Sequence, residues 1–565
     1  MRLRHFKLLA AALALGAVAT QTSSAPRSAP GMVSAADPRA AAAGVEILRK
    51  GGSAADAAFA TLLALNVVEP QSSGIGGGGY LVYSDRGGPA VTFDGREKAP
   101  AAATGTWFYK NGQPMQFSDA QPGGKSVGVP GNLRMMALAH RRYGKLPWAA
   151  LFQPAIRLAR DGFKVTPRLY NSLLHYPATG ALSAEARAIF YLPSGQPKSV
   201  VTVVRNPAFA AFLEQVARLG PDSFYVGPNA QAIAAAVSNA PHNPAPMTTG
   251  DIASYEAKPR PPVCGSYRGY RICGMGSSSS GGFTVFATLK QLERFNLTAL
   301  GQHSPTAWHL IAESERLAYA DRDKYLADED FVRVPLAGLM DPAYLAARSA
   351  LISPTTTMAA VQAGAPAGAA PACAPAPQPE RGTSHFVAVD KWGDVASETS
   401  TIESSFGSGL MVNGYYLNNE LTDFSFEPAK DGCPVANRVE GGKRPRSSMS
   451  PTIVYGPDGH VVLAVGAAGG STIPAQVVKT IVGVLDFHLP PQQAIALPMI
   501  YAPADTVFVE SGTFLEGMIP QLEALGHADV RTLPPGTFKA NAIEWLGGRW
   551  VGGADPRSEG AALSQ

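Results

Sequence analysis

Apolar and polar positions change rhythm several times along the chain, and each change marks a predicted element. Ala40 to Lys50 reads as a short helix closed by Gly51 and Gly52. Ser53, with Asp56 three residues on, makes a capping box for a second helix through about Asn66. This helical hairpin leads into VVEPQSSGIGGGGYLVYSD, a glycine turn followed by a strand. Gly74, Gly76 and Gly79 formally match the dinucleotide-binding fingerprint, but that fingerprint needs strand, glycines, helix, and the order here is helix, glycines, strand. Tight turns and close backbone packing fit the glycines instead. Further on, Ser304 and Pro305 suit the N-cap and first position of a long helix through about Asp328, whose Glu and Arg content predicts partial burial and ion pairing.

An Ala/Pro/Gly-rich run, residues 358–379, has the composition of an unpacked linker. It ends abruptly at Thr-Ser-His-Phe, where strand patterning begins: His385 to Asp390, a four-residue turn Lys391 to Asp394, then Val395 to Ile402. If Asp390 faces Val395, then Thr383 faces Ile402 and Thr401 lies about one residue from directly across. Later, PTIVYGPDGHVVLAVGAAGGSTIPAQVVKTIVGVLDF reads as strand, Pro-Asp-Gly turn, strand, glycine turn and helix, with Pro474 near the helix start. Gly469 and Gly470 sit where a buried strand hands over to a helix, and backbone N–H groups there lack a ladder partner. Such a turn is either an anion or oxyanion site or a plain tight turn.

Composition narrows the function. A chain of 565 residues exceeds the usual ceiling for one core, so a very large domain or two intimately packed halves are expected. Hydrophobic content of 46% and charged content of 16% are globular, and a formal net charge of +4, small for this length, argues weakly against a dedicated nucleic-acid or membrane-surface binder. Small-molecule or peptide substrates are the default. Arg2, Arg4 and Lys7 precede the apolar run Leu8 to Ala19, and Ala17-Val18-Ala19 supplies small residues for a signal peptidase. Residues 1–19 therefore read as a signal peptide, with the cut as late as residue 25 also allowed, and an uncleaved N-terminal anchor is the other reading. Export to the periplasm or beyond the cell follows, and no later segment offers about 18 uninterrupted apolar residues. In an exported chain the four cysteines permit disulfides without requiring them. Cys264 and Cys273 flank a candidate hairpin that would bring their thiols opposite each other. Cys373 lies in the linker and Cys433 in a polar loop, with no metal-binding spacing.

No G-x-S-x-G elbow, H-E-x-x-H pair or P-loop is present. What remains is the threonine at the linker–strand junction. A threonine hydroxyl needs a base, and its own α-amine, titrating near pH ~8, serves once the chain is cut before it. Cleavage of Gly382–Thr383 would create that terminus, and a slack linker would let the old end move away.

GTSHFVAVD, NNELTDF, GGKRPRSSMSPTIV and GAAGGS together resemble the γ-glutamyltranspeptidase family of N-terminal-nucleophile hydrolases. VVEPQSSGIGGGGYL, FDGREKAP, SVGVPG, MTTGDIASY, SSSSGG and ADPRSEGAA agree, so the likeness covers nearly all of the chain after the signal peptide. The resemblance implies an α+β fold, a four-layer αββα sandwich formed jointly by two autoprocessed subunits, here residues 20–382 and 383–565. It implies transfer of the γ-glutamyl group of glutathione or another γ-glutamyl amide to water or an amino-acid or peptide acceptor, with no cofactor and no catalytic metal.

By position, Thr383 matches the nucleophile, Thr401 the threonine that supports it, and Gly469 and Gly470 the oxyanion-hole backbone. Arg96 matches the arginine that grips the donor's α-carboxylate, and Ser447 and Ser448 the serines that assist it. Glu420, Asp423 and Glu403 match positions facing the donor's ammonium, the last often Asn in transpeptidases. Ser384 replaces a second threonine. Arg446 stands where an apolar residue is usual and is expected to add positive charge beside the carboxylate pocket. Residues 425–446 are shorter than the lid-bearing form and contain no tyrosine, which implies a more open site and keeps a glutaryl or cephalosporin acylase as the alternative.

Overall fold

The computed structural model describes residues 29–374 and 382–565. The expected signal peptide and the end of the linker lie outside these residues. Two antiparallel sheets form the centre. The first has seven strands in the order β13 (Ala561–Ser564), β1 (Met32–Ala35), β7 (Ser384–Val389), β8 (Val395–Thr401), β2 (Gly78–Ser84), β3 (Val91–Asp94) and β4 (Lys258–Arg260). The second runs β12 (Arg549–Ala554), β11 (Lys539–Leu546), β10 (Val461–Ala468), β9 (Thr452–Tyr455), β6 (Tyr270–Gly274) and β5 (Val263–Tyr267).

Both faces of β7 are buried, so its side chains sort by parity. Phe386 and Ala388 join the core beneath helices α1 (Pro38–Arg49) and α2 (Ala54–Val68), whereas Val387 and Val389 join the core shared with the second sheet. The far face of the second sheet is covered by α3 (Gly281–Leu292) and α5 (Ile473–Leu485), with α4 (Pro305–Tyr325) packed on α3. The result is the four-layer αββα sandwich. The local signals hold as well: Ser53 and Asp56 form the reciprocal capping box of α2, and Ser304 caps α4. Among the described residues no helix is long and apolar enough to cross a membrane.

Two expectations change. The hairpin register is one residue tighter than predicted: Val389 faces Val395 and Ser384 faces Ser400, which carries Thr383 opposite Thr401 instead of Ile402. The cause is Asp390, whose carboxylate accepts the N–H groups of Trp392 (2.9 Å) and Asp394 (3.1 Å) and so draws the aspartate into the turn.

The described part of the linker lacks helix and strand apart from one bridge, Cys373 to Val435, yet it is not slack. Polar side chains of α4 hold it. Glu313 accepts the Met358 N–H (2.8 Å), Arg316 donates to the Met358 carbonyl (3.0 Å), Asp321 accepts the Gly364 N–H (2.7 Å), and the Tyr325 hydroxyl donates to the Gly364 carbonyl (2.6 Å). The charged residues of this helix thus satisfy a segment that has no ladder of its own. Two disulfides are present: Cys264–Cys273 across the β5–β6 hairpin, as anticipated, and Cys373–Cys433, which sequence did not suggest.

Candidate active site

Thr383 stands at the head of β7, and its Oγ1 donates to Thr401 Oγ1 at 3.1 Å. Thr401 Oγ1 also accepts the Glu403 N–H at 2.7 Å, so the hydroxyl pair is fixed from the backbone. The φ of Thr383 is +84°, outside the range of an ordinary β-branched residue. Before it, Gly382 has φ +92°, and a Cβ there would lie 1.6 Å from the Glu403 carbonyl oxygen, so no side chain fits. The Gly382 carbonyl, the acyl half of the predicted scissile bond, accepts the Gly469 N–H at 3.1 Å.

The glycine turn that supplies this donor leaves β10 and enters α5 through a short 3-10 turn, with Gly469 at φ +120°. Its shape is held on every side. Gln476 donates to the Ala468 carbonyl (2.7 Å) and to Thr472 Oγ1 (3.0 Å), and Thr472 Oγ1 donates to the Gly469 carbonyl (2.8 Å). Tyr319 of α4 donates to the Ser471 carbonyl (2.5 Å).

One cleft is lined by Arg96, Thr383, Thr401, Glu403, Glu420, Asp423, Ser447, Ser448 and Gly470, together with Met449 and Ile473. Every predicted site residue lies there except Gly469, which adjoins it through Gly470 and the Gly382 carbonyl. The charged groups are arranged differently from the expectation. Arg96 is buried and donates to the carboxylates of both Glu420 and Asp423, while its Nε and Nη2 donate to the Pro445 and Arg446 carbonyls at 3.1 Å. The arginine assigned to the donor's carboxylate and two of the carboxylates assigned to its ammonium are therefore paired with one another, because buried opposite charges neutralise each other. Glu97 is buried beside Glu420 at the same Arg96 nitrogen, Nη1 (3.9 Å), and burial pushes its carboxyl up to about 7. Burial likewise pushes Glu420 upward, the Arg96 guanidinium opposes that shift, and the nearby charges of Glu97 and Glu403 add to it. Asn419 bridges two parts of the rim, accepting the Ser404 N–H (2.9 Å) and donating to Glu403 Oε2 (3.3 Å).

The serine pair is set by residues that sequence reading did not single out. Ser280 donates to the Ser447 carbonyl through its N–H (2.8 Å) and its hydroxyl (2.6 Å). Arg322 of α4 donates to Ser448 Oγ, to Ser280 Oγ (2.9 Å) and to Asp323 (2.6 Å). A hydroxyl that accepts from a guanidinium directs its own hydrogen elsewhere, and this polarises Ser448 as a donor. Arg446, expected to charge the pocket, turns away: it donates to the Arg322 and Asp323 carbonyls (3.3 and 3.2 Å) and pairs with Asp323 (3.0 Å) at the end of α4. Carbonyls at a helix C-terminus attract a cation, which explains its course.

A family model described as Gamma-glutamyltranspeptidase matches residues 40–565. The chain is 35% identical over 545 residues to the glutathione hydrolase proenzyme of Bacillus subtilis (strain 168), covering 94% of this chain and 91% of that protein. The cephalosporin acylase from Bacillus halodurans superposes with a TM-score of 0.84 at 26% identity, over 98% of this chain and 99% of that one. The Helicobacter pylori gamma-glutamyltranspeptidase gives 0.55 at 34% identity, over 57% of this chain and 91% of that one.

Proposed function

The chain belongs to the γ-glutamyltranspeptidase family, and from that premise we propose that it is an exported γ-glutamyltransferase and glutathione hydrolase that matures by cutting its own Gly382–Thr383 bond. The observation that carries this reading is the convergence at that bond: the Gly382 carbonyl rests on the Gly469 N–H while the Thr383 hydroxyl sits beside Thr401. In maturation, Thr383 Oγ1 attacks the Gly382 carbonyl carbon, the oxyanion is held by Gly469, and the C–N bond breaks as the Thr383 nitrogen takes up the proton that Oγ1 gives up, leaving an ester and an amine. Water then hydrolyses the ester, giving a Gly382 carboxylate and a free Thr383 α-amine.

In turnover, that amine takes the proton of Thr383 Oγ1 as it attacks the γ-carbonyl of the donor. The Gly469–Gly470 turn stabilises the oxyanion, a contribution of roughly 3 kcal/mol per donor N–H. The amine product leaves, and water or an amino acid takes the acyl group from the threonine.

A second reading, an acylase acting on glutaryl-type amides, is favoured by the close superposition on the cephalosporin acylase. Pocket charge weighs against it. A zwitterionic donor can replace the internal Arg96–carboxylate pairing group for group, carboxylate to Arg96 and ammonium to Glu420 and Asp423. A glutaryl donor has no ammonium and would strand those carboxylates. Purified protein should release p-nitroaniline from γ-glutamyl-p-nitroanilide far faster than from glutaryl-p-nitroanilide, and Thr383→Ala should abolish both release and self-cleavage. Comparable rates on the two amides would favour the acylase, and cleavage of the alanine variant at the same bond would refute the nucleophile.

A further inference from the structure

The Cys373–Cys433 disulfide joins residues 60 apart in sequence, and the Gly382–Thr383 bond lies inside the loop it closes. Cutting one bond of a closed loop opens the loop without releasing its ends. We propose that, on self-cleavage as set out above, this disulfide becomes an interchain cross-link, and that it also braces the wall of the donor pocket. The inference rests on that cleavage reading. The other disulfide, Cys264–Cys273, lies wholly in the larger chain and takes no part.

The geometry places the cross-link between an anchored tail and a pocket wall. On the large-chain side, the tail is fixed to α4 at Met358 and Gly364 before it reaches Cys373. On the small-chain side, Cys433 lies in a two-strand turn, Ala429–Lys430 against Cys433–Pro434, that is largely exposed. Cys373 donates its N–H to the Pro434 carbonyl (3.1 Å) and pairs in parallel with Val435. Two residues on from Val435, Asn437 ties both sides of the pocket together: its side chain donates to the Asp423 carbonyl (2.7 Å) and accepts the Arg446 N–H (2.9 Å). Asp423 lines the cleft, and Arg446 immediately precedes Ser447. The cross-link therefore fastens the segment through which Asn437 spaces the acidic wall from the serine wall.

Both cysteines are half-buried, within reach of a small reductant. Formation removes two protons and two electrons from the thiols, which a disulfide-donating thiol oxidase of an oxidising compartment accepts. Dithiothreitol reverses it, returning both thiols and closing to its own cyclic disulfide.

The test is the processed protein, thiols blocked with N-ethylmaleimide, on a denaturing gel with and without dithiothreitol. One band without reductant and two with it are expected. Two bands in both lanes would overturn the cross-link and leave self-cleavage standing. One band in both would overturn the cleavage and the inference with it. In Cys373→Ser and Cys433→Ser the two chains should separate without reductant, with the donor KM raised about threefold to tenfold and kcat within about twofold, the signature of lost binding rather than lost chemistry. Dithiothreitol on the unsubstituted protein should raise KM to the same extent, which guards against a folding defect in either variant. An unchanged KM in all three cases would refute the bracing of the pocket.

Discussion

A threonine at φ +84° does not choose that backbone; its neighbours impose it. Such a conformation costs on the order of 1–3 kcal/mol, and the cost disappears when the peptide bond before Thr383 is cut. Gly382 is what allows the strain to be placed there, since its carbonyl reaches Gly469 only because no Cβ meets the Glu403 carbonyl. Gly382→Ala should therefore slow self-cleavage about a hundredfold or more, the effect of losing one oxyanion donor. A time course of subunit appearance reads this, with circular dichroism confirming the fold; cleavage at the unsubstituted rate would mean that the Gly469 contact does not activate the bond. At this scale the sequence was informative where residue type carries the chemistry. The motifs single out Thr383, Arg96 and the serine pair, and the fold brings all of them to one cleft. Arg322 does not stand out in this way, because the Glu and Arg content of this 21-residue helix predicts burial and ion pairing without saying which charge the fold aims at Ser448.

Among the elements, α4 does the most with its polar face. It holds the linker, props the glycine turn through Tyr319, and meets the segment beyond Thr383 at His527. The Ser353 carbonyl fixes a proton on His309 Nε2 (2.8 Å), so His309 Nδ1 accepts from His527 Nε2 (2.8 Å). His527 also faces Glu313 at 4.0 Å and lies near Arg316, and burial, helped by His309, pushes it down to about 4. Its ordinary value is 6.5, so the unfolded chain binds the proton first: the stability contributed is complete above 6.5 and is lost as the pH falls through about 4. The melting midpoint should drop across that window, and His527→Gln should lower the midpoint at neutral pH but flatten the drop. An unaltered slope would show that another group titrates.

Legibility at this scale followed sequence distance. The capping box, the hairpins and the glycine turn are local and were readable. The register slipped by one because Asp390 caps its own turn with a side chain, and the second disulfide spans 60 residues with nothing local to announce it.

Across the whole molecule the two halves flanking Gly382–Thr383 are interleaved. Strand β1 of the first half lies between β7 and β13 of the second, and the core between the sheets draws on both. If the chain is cut at Gly382–Thr383 as proposed, the Cys373–Cys433 link keeps unfolding a one-molecule event, so the melting midpoint should not move over a hundredfold dilution. After reduction the chains separate as they unfold, and the midpoint should fall on dilution. A dilution-dependent midpoint before reduction would contradict the link. The position of β1 also sets a timetable. Its neighbours in the sheet come from more than 300 and more than 500 residues further along, so a chain emerging N-terminus first cannot complete this ladder until Ala561–Ser564 has been made. β7, which Thr383 precedes, lies between β1 and β8, so its place in the sheet is filled only when residues from both sides of Gly382 have been made and brought together.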